Sequence, residues 1–198
     1  MKRIGVYGGS FNPPHNGHLI ACKEFFKLLN LDRLFIVPAG TAPHKLSKDV
    51  EVSNLDRLNM TRLAFSDFEI STFEMDRDDI SYTANTILHF NSLFPGDEII
   101  FYMSSDMIYT LQNWYKPYVI AKHCKIACAF RYENEEEKLL EHCKMLHEEY
   151  NFNIEIIRFT PLIISSTDVR EMIANGDDLK GKVPNTVLSY IKERNLYK

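Results

Sequence analysis

Two short segments of this 198-residue chain hold the side chains best suited to chemistry. The first is Gly8-Gly9-Ser10-Phe11-Asn12-Pro13-Pro14-His15-Asn16-Gly17-His18, after which a helical period starts at Leu19. His15 and His18 stand three residues apart at that start, so both imidazoles can reach one volume. A helix start leaves N–H groups without internal partners, and its dipole favours an anion. Imidazole donors beside it suit phosphate oxygens. Gly8 and Gly9 permit close backbone approach to a ligand, and Pro13 and Pro14 hold the segment extended until the helix begins. The second segment is Ile164-Ser165-Ser166-Thr167-Asp168-Val169-Arg170, whose helical stretch runs to Ala174 and stops at Asn175-Gly176. Its hydroxyls are good N-caps. Arg170 is expected in the first helical turn, where the dipole disfavours a cation unless an anion is bound nearby. Each segment alone has a plainer reading, an N-terminal turn with incidental histidines or a capped helix with a solvent-facing arginine. Together, two helix starts bearing phosphate-compatible side chains suit a triphosphate better than a single phosphate.

The elements that must position these segments are legible as alternation. Apolar runs at 3–7, 34–37, 68–71, 98–103, 125–130 and 154–159 read as strands separated by stretches of helical period. This predicts an α/β fold, a Rossmann-like, mostly parallel sheet flanked by helices. Ligands of such sheets bind beyond the carboxyl ends of strands, and both segments follow strands. Leu19, Cys22, Phe26 and Leu29 mark one helix face, and Leu55, Leu58, Thr61 and residues 63–65 suggest a second. A third helix over 83–94 ends at Pro95-Gly96. A charged helix over 135–150 turns Leu139, Leu140, Cys143, Leu146 and Tyr150 inward, and a last helix over 187–194 packs outside the core. The polar stretch 45–52 reads as a mobile loop.

Composition narrows the class. With 45% hydrophobic residues and no internal repeat or linker, one domain over 1–198 is expected. A formal charge of -4, from 23 basic and 27 acidic side chains, gives no global field for nucleic acid or an anionic membrane. No apolar run reaches membrane length, and the one after Lys2-Arg3 is too short for a signal-peptide core. Cys22, Cys124, Cys128 and Cys143 show no dense disulfide spacing, which points to the cytoplasm. A zinc site from His123, Cys124, Cys128, His142, Cys143 and His147 is disfavoured, because no CxxC pair occurs. Cys124 and Cys128, sharing parity on one strand, and Cys143 on an apolar stripe read as buried thiols.

The two segments together resemble the paired signatures of the HxGH nucleotidyltransferase superfamily, and within it the bacterial nicotinate mononucleotide adenylyltransferases, nearly end to end. Supporting segments are Val37-Pro38-Ala39-Gly40 with Pro43-His44-Lys45, Ser81-Tyr82-Thr83, Ser105-Asp106, 111–114 and the closing 183–197. The resemblance implies adenylyl transfer from ATP to nicotinate mononucleotide, with magnesium bound mainly through the ATP phosphates. It implies catalytic roles for His15, His18 and Arg170. Gly8, Gly9, Ser10, Phe11, Ile164 and Ser165 would line the ATP, Ser166 and Thr167 would clamp its triphosphate, and Asp106 would hold ribose hydroxyls. Lys45 would contact phosphate on the substrate side, where Tyr82, Thr83 and Trp114 form the pyridine pocket, Trp114 by stacking. ATP would lie across the ends of the first and last core strands. Thr83 is expected as a helix N-cap that leaves first-turn N–H groups to the nicotinate carboxylate. Asn12, Ser10, Ser104 and Asn85 depart from the family's aspartate, threonine, glycine and aspartate. The alternatives are a sibling enzyme acting on nicotinamide mononucleotide or phosphopantetheine, and a nucleotide-binding regulator without turnover; a homo-oligomer is left open.

Overall fold

A computed structural model of the chain describes residues 1–40, 52–130 and 136–198. Strands β1 (Arg3–Gly9), β2 (Arg33–Pro38), β3 (Glu69–Ile70), β4 (Glu98–Ser104), β5 (Lys125–Ala129) and β6 (Ile154–Ile157) form one sheet in the order β3-β2-β1-β4-β5-β6. Every pairing is parallel. Chain progression reverses between β1 and β4, the place where open α/β sheets bind ligands.

Helices α1 (Asn16–Leu28), α2 (Asn54–Ala64), α3 (Thr83–Leu93), α4 (Ser105–Ile108), α5 (Pro117–His123), α6 (Glu136–Tyr150), α7 (Ser166–Asn175) and α8 (Asn185–Arg194) cover both sides. Alternate strand residues feed two cores, as a pleated strand requires. Ile100 and Tyr102 of β4 pack with Cys22, Phe25, Met60, Val169, Val187 and Ile191 on one face. Ile99, Phe101 and Met103 pack with Ile87, Phe90, Ile120, Leu139 and Leu146 on the other. Burial on both faces explains why the central strands read as continuous apolar runs. Among the described residues no helix is long and apolar enough to cross a membrane.

Some expectations need correction. In α2 the buried face is Asp56, Arg57, Met60, Thr61 and Ala64, while Leu55 is 63% exposed. Asp56 and Arg57 lie inward because they find polar partners there. Cys124 caps α5 and precedes β5, so it shares no strand with Cys128, although both are buried. α4, α5 and a 3-10 turn at Leu111–Asn113 were not anticipated, being too short to show periodicity. The predicted 45–52 loop lies almost entirely outside the described residues.

Candidate active site

The carboxyl end of β1 runs through the Ser10 to Pro14 loop, with a cis peptide between Asn12 and Pro13, into α1. His15, in extended conformation, is the N-cap. Its Nδ1 accepts the His18 backbone N–H at 3.3 Å, and His18 Nδ1 accepts the His15 N–H at 3.2 Å. This is a capping box built from imidazoles. With both Nδ1 atoms used as acceptors, a neutral ring carries its proton on Nε2. The rings stack with centroids 3.5 Å apart, so the two Nε2 donors belong to one small volume. Gly17 is required between them: a Cβ there would lie 2.9 Å from the Leu162 carbonyl oxygen and 3.0 Å from His15 Nδ1. The Asn16 N–H is taken by the Lys182 carbonyl at 2.8 Å.

Phe11 holds this pair from below. Its ring is 1% exposed, packed edge-on against His18, Tyr7 and Phe65. That burial sustains a left-handed backbone at φ 45°, a conformation strained for a bulky residue. The buried ring leaves only the Phe11 backbone for the nucleotide-lining role expected of it.

The second segment meets the first directly. Ser165 caps α7 in a capping box with Asp168, accepting the Asp168 N–H at 3.1 Å while Asp168 accepts the Ser165 N–H at 2.7 Å. Ser166 Oγ donates to the Pro13 carbonyl at 2.9 Å, and Arg170 Nη1 donates to the Asn12 carbonyl at 2.8 Å. Arg170 Nη2 donates to Thr167 Oγ1 at 3.1 Å. Arg170 is thus the fifth residue of α7, beyond the first turn where it was expected, and it braces the β1 loop. Ile164 buries its side chain in the core. β6 itself sits at the sheet edge, separated from β1 by β4 and β5. The expectation of a site across the first and last strands is corrected accordingly: the chain after β6 returns to set α7 against the β1 loop.

Asn12, where the resemblance led us to expect aspartate, is held from the C-terminus, its Oδ1 accepting the Tyr197 hydroxyl at 2.5 Å. Burial pushes the Tyr197 phenol above its ordinary range. At the neighbouring β4 end, Asp106 is exposed in the first turn of α4 and accepts a hydrogen bond from Ser104 Oγ. The added Ser104 side chain therefore restrains Asp106.

On the pyridine side, the N-cap of α3 is Tyr82, and Thr83 is the first helical residue. The correction follows from hydrogen bonding, since the Asn85 and Thr86 N–H groups both reach back to the Tyr82 carbonyl. Among the described residues no side-chain hydrogen bond caps this helix; Ala84 is fully buried, so of the first two N–H groups only that of half-buried Thr83 is placed to meet an outside acceptor. The ring stacked on Tyr82 is Tyr115, at 4.3 Å between centroids, while Trp114 packs partly into the core and its Nε1 donates to Thr110 Oγ1. Tyr115 was missed; its position beside Trp114 was the available signal. Lys45 lies outside the described residues. Among the described residues no three His, Cys, Asp or Glu side chains gather as a metal site. Burial raises the Cys143 thiol to about 11.

The family model described as cytidylyltransferase-like matches residues 6–172. The probable nicotinate-nucleotide adenylyltransferase of Clostridium botulinum (strain Eklund 17B / Type B) is 35% identical over 201 residues, covering 100% of this chain and 99% of the relative. That of Lachnoclostridium phytofermentans (strain ATCC 700394 / DSM 18823 / ISDg) is 30% identical, covering 100% of both. The chain belongs to the nicotinate-nucleotide adenylyltransferase family. The fold agrees: the Plasmodium falciparum nicotinic acid mononucleotide adenylyltransferase complexed with NaAD superposes with a TM-score of 0.79 at 20% identity, covering 100% of this chain and 98% of that one. For a nicotinate-nucleotide adenylyltransferase, the joined starts of α1 and α7 and the uncapped start of α3 form two neighbourhoods, one suited to phosphates and one to a carboxylate.

Proposed function

We propose that the chain, as a single nucleotidyltransferase domain over 1–198, transfers the adenylyl group of ATP to nicotinate mononucleotide, giving nicotinate adenine dinucleotide and pyrophosphate. The observation that carries this reading is the junction of two helix starts at one loop, through Ser166 to Pro13 and Arg170 to Asn12, beside the His15 and His18 pair. The mononucleotide phosphate is already an anion and attacks the α-phosphorus in line with departing pyrophosphate, so the protein supplies position and charge rather than a base. The Nε2 donors of His15 and His18 and the Arg170 cation meet the negative charge that grows on phosphate oxygens. Gly8, Gly9, Ser10, Ile164, Ser165, Ser166 and Thr167 flank the nucleotide, and Asp106 accepts from ribose hydroxyls. Magnesium, which keeps waters and binds through substrate phosphates, would arrive with ATP and neutralise the triphosphate.

The nicotinate carboxylate would meet the start of α3 at the Thr83 N–H, where the helix dipole favours an anion. An amide there matches that donor less well, so discrimination against nicotinamide mononucleotide of roughly tenfold to several hundredfold is expected. Tyr82, with Trp114 and Tyr115, would flank the ring, and Lys45 would contact phosphate. Free, mostly buried cysteines suit the cytoplasm. The test is pyrophosphate release with ATP, magnesium and each mononucleotide. Deamido product with a higher kcat/KM for the acid is expected; equal values for both would overturn acid specificity, and no release with either would overturn the function.

A further inference from the structure

Arg57 of α2 is 7% exposed, yet among the described residues the hydrogen-bond partners of its guanidinium are neutral. Nη1 donates to the Ser10 carbonyl at 2.8 Å, and Nη2 to the Ala39 carbonyl at 2.7 Å, the Gly40 carbonyl at 3.2 Å and Asn54 Oδ1 at 2.7 Å. Among the described residues no carboxylate pairs with it; the adjacent Asp56 turns instead to Ser53, Tyr190 and Arg194. Burial lowers the Arg57 pKa from its ordinary value, but a guanidinium stays charged in proteins. A buried charge without a counterion is costly, and apolar residues often replace buried ions without loss of stability. Stability alone does not account for an arginine here.

The carbonyls it holds belong to the loops after β1 and β2. Because a trans peptide is planar, fixing a carbonyl also fixes the N–H on its opposite side. The Ser10 carbonyl on Arg57 therefore directs the Phe11 N–H away from the guanidinium, setting the loop that leads to His15. The Ala39 carbonyl does the same for the Gly40 N–H, which donates to Ser81 Oγ at 3.1 Å. Ser81 hydrogen-bonds in turn to Glu74, a carboxyl only 9% exposed that also accepts from Thr86 Oγ1 of α3 at 2.5 Å. Close packing keeps this chain in register: a Cβ on Gly40 would lie 2.1 Å from the Glu74 carbonyl oxygen. A continuous run of polar contacts thus leads from the phosphate loop, through Arg57, to the start of α3.

We propose that Arg57 is a positioning residue that sets the Ser10 loop and the Ser81 to Thr83 helix start relative to each other, and so couples binding of the nucleotide triphosphate to binding of the mononucleotide. The proposal rests on the function inferred above. A planar fork that holds several carbonyls at once has no substitute in lysine, whose ammonium is a single point charge.

The test measures the affinity of the full chain for α,β-methylene-ATP by calorimetry, with and without saturating nicotinate mononucleotide, beside steady-state turnover. In the parent, the mononucleotide is expected to tighten the analogue by about tenfold, within the usual range for coupled sites. Arg57→Lys and Arg57→Met should bring that factor to about twofold or less and lower kcat by roughly tenfold or more, with the folded spectrum retained. Ser81→Ala, which leaves the guanidinium in place and cuts the run beyond it, should reduce the coupling in the same way if the Arg57 variants fail to fold. An unchanged coupling factor in folded Arg57→Met or in Ser81→Ala, or no coupling in the parent, overturns the proposal. So does a variant whose melting temperature falls while kcat and coupling stay at parent values. Parent turnover to deamido product with any of these results leaves the assigned function standing, whereas absent parent turnover is the failure of that function.

Discussion

His18 performs two separable tasks, and substitution can divide them. Its Nδ1 accepts the His15 N–H as half of the reciprocal cap, and its Nε2–H is the donor proposed for phosphate. Asparagine places an amide oxygen where the imidazole has Nδ1, and glutamine places an amide nitrogen near the position of Nε2. His18→Asn should therefore keep the cap and lose the donor, while His18→Gln should do the reverse. Loss of one cap acceptor costs about 1 kcal/mol, which for a chain of this size is about 2–4 °C in Tm. Loss of one preformed donor to developing charge lowers kcat on the order of a hundredfold or more. His18→Asn is expected to melt close to the parent and to turn over a hundredfold more slowly, with a small change in ATP KM. His18→Gln should melt lower but recover part of kcat, and His18→Ala should show both losses. Tm from circular dichroism and kcat from pyrophosphate release read the two axes independently. Parent-like kcat in folded His18→Asn would refute a role for Nε2, and equal Tm in the asparagine and alanine variants would refute the cap.

Arg170→Ala should lower Tm as well as kcat, because the guanidinium braces the Asn12 carbonyl in the absence of nucleotide, and Arg170→Lys should recover only part of either; full rescue of kcat by lysine would show that charge suffices. Asn12→Asp puts a carboxylate on the Tyr197 hydroxyl and beside the Arg170 contact, so Tm should rise, by about 1 kcal/mol of stability, while the ATP KM rises severalfold as the cation is offset. An unchanged KM in that variant would mean the loop's net charge does not reach the triphosphate. Burial holds the Glu74 carboxyl above its ordinary 4.5, so the fold retains a proton that the unfolded chain releases as pH rises past that value. The parent then loses stability upward from there, until the folded carboxyl also ionises. Glu74→Gln does not titrate, and its Tm should gain on the parent's as pH rises past about 4.5; parallel profiles would show that Glu74 has the same pKa folded and unfolded.

What could be read from the sequence follows from how local each signal is. The four central strands were legible because parallel strands buried on both sides are runs of apolar residues bounded by turns, and the edge strands β3 and β6 also lie where shorter apolar runs were read. The HxGH segment was legible because its glycine, prolines and histidines act within one turn of each other: Gly17 is small for His15 beside it, and His15 and His18 cap each other. Arg57 was invisible for the opposite reason. Its partner at Ser10 is 47 positions away, just as the Tyr197 partner at Asn12 is 185 away, and no spacing rule links such pairs. Periodicity also placed Leu55 inward, where α2 instead exposes it and buries Asp56 and Arg57 beside Met60, Thr61 and Ala64. A helix buries such polar residues only if they gain partners inside, and here the gain is four hydrogen bonds from Arg57 and an anchored Asp56. Local rules are broken where function demands it. The burial of Asp56 and Arg57 on α2 is such a break, and Arg57 lies against the Ser10 loop, whose carbonyl it holds.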